Sequence, residues 1–104
     1  MTEFTAHIQL PDAAIGAVLY EIALGRPEIT CATLKSGSGT WLSVGFHANS
    51  DDEATMLIST TRYQIGQMRG VAVPEGYEES SLQNFDGAPM IVTCGRTVVH
   101  SEGV

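Results

Sequence analysis

Apolar and polar residues alternate over residues 3–10, with Phe4, Ala6, Ile8 and Leu10 on one side and Thr5, His7 and Gln9 on the other. A period of two with a single apolar side predicts a half-buried strand. After Pro11 the period lengthens. Ile15, Val18, Leu19 and Ile22 recur at i, i+3, i+4 and i+7, the stripe of an amphipathic helix, and Asp12 stands at its N-cap. Gly25 suits a left-handed C-terminal position and Pro27 forbids continuation. Gly16 weakens this helix unless it lets a strand approach closely.

Two more extended stretches, 28–35 and 40–48, flank Ser36-Gly37-Ser38-Gly39, a turn composition free to adopt positive φ. In the second stretch Leu42, Val44, Phe46 and Ala48 face one way, and Trp41, Ser43, Gly45 and His47 the other. Setting Lys35 opposite Thr40 fixes the register. It pairs Leu34 with Trp41 and sends Ile29, Cys31 and Thr33 to the buried side. Ser50 and Glu53 then form a capping box, with acids in the first helical turn where the dipole favours them. Ala54, Leu57, Ile58, Thr61, Ile65 and Met68 make the inward stripe, and Arg69-Gly70 ends the helix. Residues 71–89 form a long connection with a short helical turn expected over 80–84. Residues 90–99 read as the last strand, which Cys94-Gly95-Arg96 bulges or folds into a hairpin, and 100–104 as a frayed tail.

The order βαββαβ predicts one α+β domain over residues 1–104, a ferredoxin-like split βαβ with a four-stranded sheet and two helices on one face. Its first and third strands are expected side by side and parallel at the centre. The other face stays open and is expected to carry Thr5, His7, Gln9, Thr30, Ala32, Leu34, Trp41, Ser43, Gly45 and His47. An open Leu34–Trp41 pair is an apolar patch, and tryptophan is enriched at interface hot spots.

Composition narrows the functions. Twelve acids against five bases give a formal charge of −7, which argues against phosphate-backbone binding. A hydrophobic share of 43% with only 16% charged residues describes a globular protein whose surface can meet a partner without desolvating many ions. The two cysteines, Cys31 and Cys94, form no CxxC and are read as reduced core residues. No basic and apolar leader opens the chain and no apolar run approaches the ~20 residues of a membrane span, so a soluble, cytoplasmic protein is expected.

Residues that bear chemistry are few. His7 and His47 share the open face and could act as acid and base or bind a metal. Neither has an expected carboxylate to orient it nor a third ligand. The Ser-Gly-Ser-Gly segment joins two strands and lacks the lysine and following helix of a phosphate loop, so it is read as a turn. Asp51-Asp52-Glu53 lacks EF-hand spacing and is explained by capping. Cys94-Gly95-Arg96 lacks the glycines and helix start of a phosphatase loop. RNA-recognition domains share this topology, but only Trp41 is available for base stacking.

The run from Thr40 to Ala48, entering Asn49-Ser50-Asp51-Asp52-Glu53-Ala54, resembles small α+β proteins of actinobacteria and their phages that pair a W-x-V-x-φ strand with a capped, Ala- and Thr-rich helix. That resemblance transfers no catalytic residue. It implies a setting in which small acidic proteins bind a host protein to block or redirect it, anti-defence proteins included.

The expectation is a non-enzymatic protein-binding module without cofactor or metal, forming a homodimer or capturing a host protein, with no nucleic-acid or membrane partner. Its contact residues would be Leu34, Trp41, His7 and His47 on the open face, and Glu75, Tyr77, Glu78 and Glu79 on the acidic loop. A second expectation is a small-ligand enzyme or sensor built as a dimeric α+β barrel, using His7, His47, Ser43 and Tyr77. Gly45 would then leave ligand room beside His7. A third is a nucleic-acid mimic, for which acids in rows at phosphate-like spacing would be required.

Overall fold

The computed structural model describes residues 1–104 as an α+β protein. Strand β1 (Thr2–Leu10) leads into helix α1 (Ala13–Leu24), hairpin strands β2 (Cys31–Gly37) and β3 (Gly39–Ala48), then helix α2 (Asp51–Gly66). A 3-10 helix (Glu79–Phe85), where the short helical turn was expected, precedes the hairpin strands β4 (Met90–Cys94) and β5 (Thr97–Glu102). The sheet is five-stranded and wholly antiparallel, in the order β2-β3-β1-β4-β5. No helix is long and apolar enough to cross a membrane.

Two topological expectations change. Strands β1 and β3 are antiparallel neighbours, Ile8 opposite Leu42 and Phe4 opposite Phe46. Antiparallel pairing follows from the connections: β2 runs parallel to β1 after the crossover helix, and the hairpin then reverses β3. The sheet also has a fifth strand. Gly95 takes φ 62° and turns the chain at Gly95-Arg96, so the expected last strand divides and the supposed tail pairs with β4.

The hairpin register is the consequential correction. Ser36 pairs with Thr40 and Gly37 faces Gly39 across the turn at Ser38, so the three residues after Ser36 form the hairpin tip, and Gly39 has φ 107°. Compared with the expected Lys35–Thr40 pairing this is a slip of one residue, and one residue exchanges the faces of a strand. Leu34 therefore lies opposite Leu42 on the helix side, while Cys31, Thr33 and Lys35 reach the open side. Cys31 is exposed and Cys94 half-buried, both as free thiols, so neither is the core residue expected.

The core holds nineteen buried apolar residues between the sheet and the helices. Strand β1 contributes Phe4, Ala6, Ile8 and Leu10; β3 contributes Leu42, Val44, Phe46 and Ala48. The Asp12 carboxylate caps α1 by accepting from the Ile15 amide at 3.0 Å. Gly25 closes α1 with ordinary right-handed geometry, φ −86°, contrary to the left-handed expectation. Gly16 is needed for close packing, because a Cβ there would sit 3.0 Å from Thr40 Cγ2 and 3.1 Å from Leu34 Cδ1.

Ser50 caps α2 through the Glu53 amide at 3.1 Å, as expected. The helix ends at Gly66, four residues before Gly70, where it meets the 3-10 helix: a Cβ on Gly66 would lie 3.4 Å from Gln83 Cα. The residue of α2 that the apolar stripe did not reveal is Arg62, only 1% exposed. Its guanidinium donates to the carbonyls of Phe85 (2.9 Å), Asp86 (2.6 Å) and Ala88 (2.8 Å), and to Glu102 Oε1 at 2.5 Å. One side chain thus ties α2 to the end of the long connection and to β5.

Candidate functional site

Alternation along each strand decides what the uncovered face displays. Since the core takes the even-numbered residues of β1 and β3, the odd ones point away from the helices. Pairing arranges them in rows. Lys35, Trp41 and Gln9 form the first; Thr33, Ser43, His7 and Ile91 the second; Cys31, Gly45, Thr5 and Thr93 the third. Glu3 and His47 end the face, 3.9 Å apart. Trp41 is half-buried, and the space beside it is lined only by residues of β1, β2, β3 and the turn between β2 and β3.

His7 sits at the centre of the face. Its Nδ1 lies 2.8 Å from Ser43 Oγ and its Nε2 3.4 Å from Thr93 Oγ1, while Thr93 Oγ1 donates to the Thr5 carbonyl at 3.5 Å. Burial, and then the Lys35 charge, lower the pKa of His7, so the ring is neutral near pH 7. A neutral imidazole has one donor and one acceptor nitrogen. With the Thr93 proton engaged by Thr5, the consistent assignment puts the ring proton on Nε2 and directs the Ser43 hydroxyl proton to Nδ1. The chain Ser43–His7–Thr93 is thereby oriented without a carboxylate.

At the hairpin end of the face lies an open cavity of about 430 Å³, walled by His7, Trp41, Ser43, Lys35 and the turn that follows Lys35. No acidic side chain lines it. Of the four arginines, Arg26 pairs with Glu28 at 2.7 Å, Arg62 pairs with Glu102, and Arg69 donates to the Gln67 and Met68 carbonyls, while Arg96 stands free in the turn between β4 and β5.

The expected contact residues separate into distinct places. Trp41, His7 and His47 share the open face, but His47 pairs across from Glu3, four residues along β3 from the partner of His7. Leu34 belongs to the helix side. The acidic loop lies with the helices: the Tyr77 hydroxyl donates to Asp12 Oδ2 at 2.6 Å, at the start of α1. Glu79 accepts from the Gly70 amide at 3.0 Å, and Glu78 accepts from the Ser80 hydroxyl at 3.2 Å. Glu75 alone of these makes no hydrogen bond or ion pair within the chain. Tyr77 is consequently remote from His7, and the space at Gly45 is not ligand room. A Cβ there would sit 2.6 Å from Cys31 Sγ and 2.9 Å from Thr30 Oγ1.

Lys35, Thr33, Cys31, Ile91 and Thr93 are the open-face residues that the sequence reading missed. The usable signal was the Gly-Ser-Gly turn, which fits a three-residue hairpin loop with a positive-φ glycine at its end. No group of three or more His, Cys, Asp or Glu side chains converges to hold a metal ion. No family model, curated protein or solved structure matches the chain.

Proposed function

We propose that this chain is a small acidic, non-enzymatic protein-binding module that docks a protein, in the first instance a second copy of itself, through its uncovered sheet face. Its fold is a ferredoxin-like split βαβ extended by one edge strand, for which the order β2-β3-β1-β4 is the support. A phage-type modulator of a host protein is the setting in which such a module would act.

The observation that carries this reading is the half-buried Trp41 on the sheet face that points away from the buried core. The ionisable groups on β1–β3 of that face are Glu3, His7, Cys31, Lys35 and His47, so covering it desolvates few charges. Five strands about 4.8 Å apart and roughly 20 Å long present ~500 Å² each, or ~1,000 Å² for a face-to-face pair. That lies at the low end of specific interfaces and corresponds to a weak, roughly micromolar dimer.

Sedimentation of the wild type and Trp41→Ala across protein concentration tests the proposal. The variant should keep its circular dichroism while its association weakens by about tenfold or more, as expected for a hot-spot indole. With −7 on each copy, added salt should strengthen a homodimer, whereas docking to a basic partner would weaken with salt. Unchanged association and unchanged partner capture in Trp41→Ala remove the proposal.

A second reading, capture of a small ligand on the same face, is favoured by the oriented Ser43–His7–Thr93 chain beside the open cavity.

A further inference from the structure

We propose that the cavity at the hairpin end of the open face binds a small planar anion, an aromatic or heteroaromatic carboxylate, with its charge on Lys35 and its ring on Trp41. This inference rests on the ligand-capture reading of the face and names the chemistry of the ligand.

The argument begins with unspent donors. Lys35 is the only lysine of an acidic chain, and it has neither an ion-pair partner nor a hydrogen bond within it. It stands directly across the ladder from Trp41, which in turn stands across from Gln9. The indole Nε1 and the Gln9 side-chain amide converge on the bare α-carbon of Gly39. A Cβ built there would be 3.7 Å from Trp41 Nε1 and 3.3 Å from Gln9 Nε2. Neither of these groups donates to an acceptor of the chain. Two of these donors, the Lys35 ammonium with its full charge and the Trp41 indole N–H, therefore belong to residues walling a space with no carboxylate of its own, and Gln9 stands just outside those walls. Hydrogen bonds to an ionised acceptor are the strong ones, so a carboxylate matches this set better than a neutral acceptor does.

The remaining walls select shape. An indole at the floor offers a flat apolar surface on which a ring stacks. Beyond it the Ser43 hydroxyl and the neutral His7 ring satisfy each other at 2.8 Å. That boundary is polar but uncharged, and it does not repel an anion. A cavity of about 430 Å³ falls within the ordinary range for small-molecule sites and has room for one or two fused rings. Gly39 also belongs to the recognition. Its positive φ and missing side chain keep the space beside the indole nitrogen open.

The test is a ¹⁵N–¹H titration of the full chain with three probes: 1-naphthoate, 1-naphthalenemethanol and acetate. The expected result is saturable shifts from 1-naphthoate at the Trp41 indole N–H and at the amides of residues 35–39. The alcohol, which has the ring without the charge, and acetate, which has the charge without the ring, should each bind about tenfold more weakly or worse. Lys35→Met should lower 1-naphthoate affinity by a similar factor while the spectrum of the fold is retained. Equal binding of acid and alcohol, or no effect of Lys35→Met, overturns the anion assignment and leaves ligand capture standing. Saturation of none of the three probes, or shifts confined to another part of the molecule, overturns both.

Discussion

Truncating Arg62 to alanine should be among the most damaging single changes in this protein. The guanidinium is 1% exposed and supplies the hydrogen-bond donors for three main-chain carbonyls and one carboxylate. Alanine would leave the carbonyls of Phe85, Asp86 and Ala88 without those donors, and an unsatisfied buried acceptor costs about 1–3 kcal/mol. The Glu102 side chain is 42% exposed, so water can take over part of its loss. Breaking a buried ionic cluster from one side typically costs about 3–5 kcal/mol, and we expect Arg62→Ala to fall there. Against a total stability of roughly 5–15 kcal/mol, that is a large share and corresponds to a fall of some 15–30 °C in Tm. Urea unfolding at pH 7, followed by far-ultraviolet circular dichroism, measures it. Arg62→Met should recover part of the loss by refilling the volume, and Arg62→Lys less than its charge suggests, because an ammonium cannot fork to all these acceptors. A cost below about 1 kcal/mol for Arg62→Ala would refute the clamp, since even one stranded carbonyl exceeds it.

Acidification reads the same cluster from Glu102: burial raises its pKa, but bonds to His100 and Arg62 outweigh this and leave it lowered. The contribution of Glu102 is therefore complete above the ordinary carboxylate range and is lost as pH falls through its depressed folded value; Glu102→Gln should flatten that acid limb of the stability profile. Gly45→Ala should destabilise the fold by about 1–3 kcal/mol through the 2.6 Å approach to Cys31 Sγ, and Cys31→Ala should recover part of the loss in the same urea assay. Tyr77→Phe should speed proteolysis within residues 71–78, because the hydroxyl bond to Asp12 ties that segment to α1. In that variant the Asp12 carboxyl, now held low chiefly by the Tyr77 bond, should titrate closer to its usual range by carbon-detected NMR; an unchanged Asp12 titration would contradict the tether.

Local periodicity made the helices legible. Asp12 and Ser50 cap where their side chains and the following apolar stripes placed them, and the faces of β1 and β3 follow from alternation alone. Register was less accessible because it is set by a turn. Counting Ser36 to Gly39 as a four-residue loop instead of the three residues after Ser36 moved Leu34, Cys31, Thr33 and Lys35 to the wrong faces together. The sequence therefore pointed to Trp41 but not to its neighbour Lys35. Arg62 was hidden for a different reason. A hydrophobicity pattern treats arginine as a surface residue, and its partners are carbonyls from a segment with no period of its own. The Ser43–His7–Thr93 chain needs three strands in their final order, so antiparallel pairing had to be known before those side chains could be brought together.

The Arg62 clamp also bears on how the chain becomes a protein on the ribosome. Helix α2 carries a cation that is satisfied only by residues 85–102, all made later. The N-terminal two-thirds can form its hairpin and its capped helices as it emerges, but it cannot seat α2 without burying an unmatched charge. Docking of that helix must therefore wait for translation of β4 and β5, and a nascent chain stalled before residue 85 should remain open and sensitive to protease. Release of the last segment, rather than collapse of the first, would then set the moment at which the protein closes.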